Sequence, residues 1–156
     1  MKALFAIIFC ALLASAVAQV PAKKEDKLKG SLLQLTHRAA VQRDAVDSIF
    51  GRLEKHIAEG AARPLVGFIG QQVFIDVSGS AQGYYSSNQA LSMIESYFAQ
   101  RKPLSFTFSS VNQRAPSPYA TGRLTYQYKG NRESAQVYVA LTKRDSLWQM
   151  TQFNIY

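Results

Sequence analysis

The most constraining feature of this chain is an alternation of apolar and polar residues that fills its last third. Leu104/Phe106/Phe108, Gly122/Leu124/Tyr126/Tyr128 and Ala135/Val137/Val139/Leu141 each place every second side chain on one face. A period of two is the mark of a β-strand in a sheet covered on one side only. Four strands follow from it, at Leu104–Val111, Tyr119–Tyr128, Glu133–Lys143 and Leu147–Ile155. The first connection, Asn112–Pro118, is loose and carries two prolines, and the other two are tight. Lys129-Gly130-Asn131-Arg132 supplies two residues that tolerate positive φ, as a primed hairpin turn requires, and Arg144-Asp145-Ser146 makes the next turn. An antiparallel meander is the simplest topology.

Upstream, Ser86-Ser87-Asn88-Gln89 has the form of a capping box and predicts a helix over Ser87–Gln100. Ala90, Leu91, Ile94, Tyr97 and Phe98 form its apolar stripe, and Pro103 follows its end. Another helix is predicted from Asp44 or Asp47 to a Gly60 stop, with Val46, Ile49, Phe50, Leu53 and Ile57 on one face. Between the two, Ala61–Gly70 suits a short helical turn. Gln72–Val77 reads as a first strand, and Gly83–Tyr85 as a brief second one.

The beginning of the chain has the organisation of an export signal. Met1-Lys2 is positive, Ala3–Ala14 is apolar, and Ala16-Val17-Ala18 is a small-x-small cleavage site. Cleavage after Ala18 removes Cys10, the one cysteine, so the exported domain is expected to fold without disulfides, on apolar packing. Thiol chemistry and cysteine-ligated zinc go with it. The expected organisation is a cleaved signal peptide over 1–18, a basic arm over 19–43 and a single α+β domain over 44–156.

With Lys2 gone, 17 Lys and Arg face 10 Asp and Glu, a net charge of +7. The excess is concentrated in Lys23–Arg43, where six basic residues face only Glu25 and Asp26. Such an arm reads as a solvated tether, with weak contact to an anionic membrane or polysaccharide surface as the alternative. Leu28, Leu32, Leu35 and Ala39 fall at helical spacing within it, so a short helix is expected there despite Gly30. Nucleic acid is not expected as a partner, since no nucleic-acid module accompanies the charge.

Helix, helical turn, strand, short strand, helix and meander is the order of the nuclear transport factor 2-like fold, which the chain resembles. The resemblance implies an α+β cone: a curved antiparallel sheet with the N-terminal helix and a second helix on its concave face. Tyr84-Tyr85-Ser86, Lys102-Pro103-Leu104-Ser105-Phe106, Tyr119-Ala120-Thr121-Gly122, Val137-Tyr138-Val139 and Met150-Thr151-Gln152-Phe153-Asn154-Ile155 are similar to an uncharacterised family of small exported bacterial proteins. That family is a domain of unknown function, and its motifs are turns and strands. They carry no active site. Gln71-Gln72-Val73 invites comparison with the inhibitory loop of cystatins, but no glycine stands where that loop needs one.

Folds of this kind host isomerases and dehydratases that use an acid or imidazole in an apolar cavity. Asp76 with a tyrosine is the candidate for that alternative. Asp76 alternates against Val73, Ile75 and Val77, however, and is expected to face water. His37 and His56 read as surface histidines and make no metal signature. No cofactor, metal or catalytic residue is therefore assigned. The aromatic supply points instead to a binding module for a small apolar ligand or a protein, with Tyr97, Tyr126, Tyr128 and Trp148 as ligand-contacting residues. The outer sheet face, with Thr121, Arg123, Thr125, Gln127 and Tyr138, is the place for a protein partner or a homodimer.

Overall fold

The computed structural model describes residues 22–78, 80 and 82–156, with side chains from Leu28 onward. The expected signal peptide, its cleavage residues Ala16 and Ala18, and Cys10 lie outside them. The chain divides into two compact units, Met1–Arg38 and Ala39–Tyr156.

Helix α1 runs over Ala22–Ala58 and so begins well before Asp44. No proline interrupts that stretch, and Lys, Glu, Leu, Gln, Arg and Ala dominate it. All are strong helix formers, and the cost of one exposed Gly30, about 1 kcal/mol, does not break the run. The helix ends at Gly60, whose φ of 67° is the left-handed conformation that closes a C-terminus. A 3-10 turn over Arg63–Phe68 follows, led by Pro64.

Six strands then form one sheet: β1 Ile69–Val77, β2 Gly83–Ser86, β3 Lys102–Asn112, β4 Tyr119–Tyr128, β5 Asn131–Arg144 and β6 Leu147–Ile155. Their order is β2-β1-β6-β5-β4-β3. The meander β3–β6 is antiparallel throughout, as alternation and short turns predict. Sequence patterning left the seam between β1 and β6 unread. It is parallel, with Ile75 beside Phe153 and Val77 beside Ile155, so the first strand closes onto the last. Both hairpin turns of the meander are two residues long, and Lys129, Gly130, Asp145 and Ser146 all have positive φ. Pro103 sits inside β3 rather than ahead of it. An edge strand tolerates this because its outer amides have no strand to bond.

The sheet is curved and open. Helix α2, Ser87–Gln100, covers its inner face together with the 39–58 part of α1. The cap of α2 is the capping box read from sequence: Ser86 Oγ accepts from Gln89 N, and Gln89 Oε1 accepts from Ser86 N. Val46, Phe50, Leu53 and Ile57 from α1, Ile94 and Phe98 from α2, and Val73, Ile75, Leu124, Val137, Val139 and Phe153 from the sheet are buried in one cluster. Gly122 belongs to this face because a Cβ there would stand 2.5 Å from the Thr107 carbonyl oxygen and 2.8 Å from the Phe106 ring. The inner face is a packed core.

Candidate functional site

The interior aromatics predicted to bind a ligand separate into two places. Tyr97 on α2 and Tyr126 on β4 are buried and meet edge to face, with ring centroids 6.1 Å apart. The Tyr126 hydroxyl donates to Glu133 Oε2 at 3.2 Å. The Arg101 guanidinium lies over the rings of both Tyr97 and Tyr128, at 4.7 and 4.8 Å. Burial first, and then the adjacent Tyr126 hydroxyl, push the Tyr97 hydroxyl above the usual phenol range. Arg101 pulls it the other way, and Glu133 adds to the rise. Three of the four predicted residues thus share one end of the sheet, with Tyr97 against Tyr126 and Tyr128 joined to Tyr97 through Arg101. Trp148 does not join them. It pairs with Lys143 at the far end of β5, on the order of 40 Å from the Tyr128–Asn131 turn at strand rise.

The opposite face of the sheet is organised differently. Asp76, Asn154, Tyr138 and Thr121 lie side by side across β1, β6, β5 and β4. Asn154 is 1 % exposed, the one buried polar side chain named among the described core residues. Its Nδ2 donates to the Tyr156 hydroxyl at 2.6 Å, while its Oδ1 is buried without a hydrogen-bond partner. Leaving such an oxygen unpaired costs about 1–3 kcal/mol. Tyr138 and Tyr119 stack beside it with ring centroids 5.7 Å apart, and Asn112 Nδ2 donates to the Tyr119 hydroxyl at 3.3 Å. Burial, and then the nearby hydroxyls of Tyr119 and Tyr156, raise the Tyr138 hydroxyl above its ordinary value. Next to Tyr156 a hollow of about 360 Å³ opens over β4 and β5, with Arg123, Ser134 and Gln136 in its wall. Further along the face, Phe74 and Tyr84 meet edge to face at 5.2 Å.

Asp76 belongs to this outer face, in register with Asn154, as its alternation against Val73, Ile75 and Val77 predicts, but it is partly buried there rather than fully open to water. The interior carboxylate–tyrosine arrangement of cone-fold isomerases is not what Asp76 forms. His37 is exposed. The Nδ1 of His56 is shielded without a hydrogen bond, 3.8 Å from Glu59 Oε2. Among the described residues no cluster of three or more metal-ligating side chains occurs.

Sequence reasoning placed Tyr138, Thr121 and Arg123 on the outer face but missed Asn154 and Tyr156. The reason is a bulge between Ala140 and Leu141, which breaks the alternation of β6: Met150, Phe153 and Ile155 are its buried set. Glu54 was also missed. Its Oε2 accepts from the Phe108 amide at 2.8 Å, tying α1 to the outer edge of β3. No spacing rule in the sequence announces either contact.

Comparison with known proteins agrees with the fold. The family model described as "Domain of unknown function (DUF4783)" matches residues 50–156. A crystal structure of a DUF4783 family protein from Bacteroides uniformis is similar with a TM-score of 0.60 at 17 % identity, over 66 % of this chain and 91 % of that one. One from Bacteroides ovatus gives 0.58 at 17 %, over 66 % and 89 %. A nuclear transport factor 2-like protein of unknown function from Shewanella oneidensis gives 0.52 at 13 %, over 72 % and 96 %. No curated protein matches the sequence.

Proposed function

This chain belongs to the DUF4783 family, on a nuclear transport factor 2-like fold, and from that premise we propose that it is an exported, non-catalytic interaction module that holds a protein partner against the outer face of its sheet. The observation that carries this reading is the outer-face group of stacked Tyr119 and Tyr138 with the exposed Tyr156 and Arg123 beside it. Tyrosines, an arginine and amides on one face are the composition that protein interfaces favour. The inner face is spent on the core, which leaves the outer face as the surface for recognition.

Export rests on the 1–18 pattern of charge, apolar run and cleavage site. No helix among the described residues is long and apolar enough to cross a membrane.

The test is a photo-crosslinking residue in place of Tyr138, compared in living cells with one in place of Lys55 on α1. A discrete adduct from position 138 alone is the expected result. An adduct of twice the chain mass identifies the partner as a second copy. No adduct at 138, or the same adducts from both positions, removes the reading. Native mass spectrometry of the protein from its own cells adds a second arm, because a retained small ligand would replace a protein partner with a small molecule.

A further inference from the structure

The first unit carries a feature that the outer sheet face does not use. Within α1, Leu28, Leu32 and Leu35 are 62, 53 and 58 % exposed. At 3.6 residues per turn they fall within about 60° of one another and make a single apolar stripe. Lys29 and Arg38 fall on its two borders, about 60° beyond its outer leucines. Leu33, 70 % exposed, lies outside the stripe on the Lys29 side. From Lys27 to Arg43 there is no Asp or Glu, against four Lys and Arg. Exposed leucines in a row are costly to keep in water, and a stripe fringed by cations selects what can cover it.

We propose that this segment of α1 is an interfacial helix that lies on an anionic phospholipid surface, leucines immersed and Lys29 and Arg38 at the headgroups. Lipid answers both parts of the pattern. Acyl chains take the leucines. Anionic headgroups take the cations, whose long stems reach them from the border of an apolar face. An anionic polysaccharide would use the charge and leave the leucines in water. A second copy would use the leucines, since Leu28, Leu32, Leu35 and Ala39 repeat at four and three residues like a coiled-coil seam. A parallel pair would, however, bring Arg38 and Arg43 of the two copies together across that seam, with no acid to relieve them. The helix lies on the bilayer and does not span it, for it is too polar to cross.

The test is co-sedimentation of the chain, purified from cells and its N-terminus fixed by mass, with mixed phosphatidylcholine–phosphatidylglycerol vesicles and with phosphatidylcholine alone. Binding is expected to the mixed vesicles, to weaken with added salt, and to be slight on the neutral ones. Leu32→Gln with Leu35→Gln, which keep a strong helix former in place, should lower the partition constant about tenfold or more. Lys29→Gln and Arg38→Gln should each lower it about fivefold. Equal binding to neutral vesicles overturns the proposal. So does undiminished binding of the leucine variant, which would place the attachment outside this stripe. No vesicle binding, with a helical complex formed on an acidic protein instead, overturns it in favour of a partner helix. A polarity-sensitive dye on Ser31→Cys gives an independent reading, because an emission maximum unmoved by mixed vesicles also overturns it.

Discussion

One helix contains two regions that look alike in sequence and behave in opposite ways. In α1 the apolar repeat Leu28, Leu32, Leu35, Ala39 runs on at the same spacing into Val46, Ile49 and Leu53. Leu53 is fully buried and Val46 nearly so, whereas the three leucines upstream are all more than half exposed. Periodicity therefore reports which side of a helix is apolar and says nothing of what covers it. Coverage of the 39–58 part comes from the sheet and α2, in part from residues far along the chain. Phe50, for example, meets the Phe108 ring at 5.5 Å. In the first unit the stripe is exposed and cations border it, which turns the same pattern into a surface for something outside the chain.

The largest test of that contrast is Leu53→Ala. It removes a fully buried side chain from the core and should cost about 3 kcal/mol, read as a lower midpoint in urea. Glu54→Ala comes next. It strands the Phe108 amide, half shielded at the edge of β3, and should cost about 1 kcal/mol in the same titration. Gly51→Ala should act in the other direction. A Cβ there meets nothing within 4 Å, so the gain in helix propensity, about 0.5–1 kcal/mol, raises the midpoint. Leu32→Ala, nearly four turns from the core stripe, should change the midpoint by less than about 0.5 kcal/mol. A cost as large as that of Leu53→Ala would mean the two regions are not different at all. Gly30→Ala is the finest test. Its Cβ also meets nothing, so far-UV circular dichroism should show more helix while the urea midpoint stays where it was.

Much of the architecture is written locally and was readable for that reason. The capping box at Ser86, the stop at Gly60 and the meander all follow from residues within a few positions of one another. What escaped is non-local. The parallel seam between β1 and β6 joins segments some eighty residues apart, with no pattern shared between them. The site was partly legible. Tyr138 and Arg123 could be placed on the outer face by counting twos. Asn154 could not, because the bulge in the last strand shifts the count by one. The interior group Tyr97, Tyr126 and Tyr128 came together because helix and strand periods both point inward. Trp148 was grouped with them by residue type alone, and strand register sends it to the other end.

The rims of the sheet have a consequence of their own. One rim, β2, is four residues long. The other, β3, carries Pro103, two register shifts and an amide already occupied by Glu54. A foreign strand looking for a ladder to extend meets a short stub on one side and a broken, proline-bearing margin on the other. Runaway stacking into fibrils is thereby discouraged, and assembly is steered to the faces of the molecule rather than to its borders.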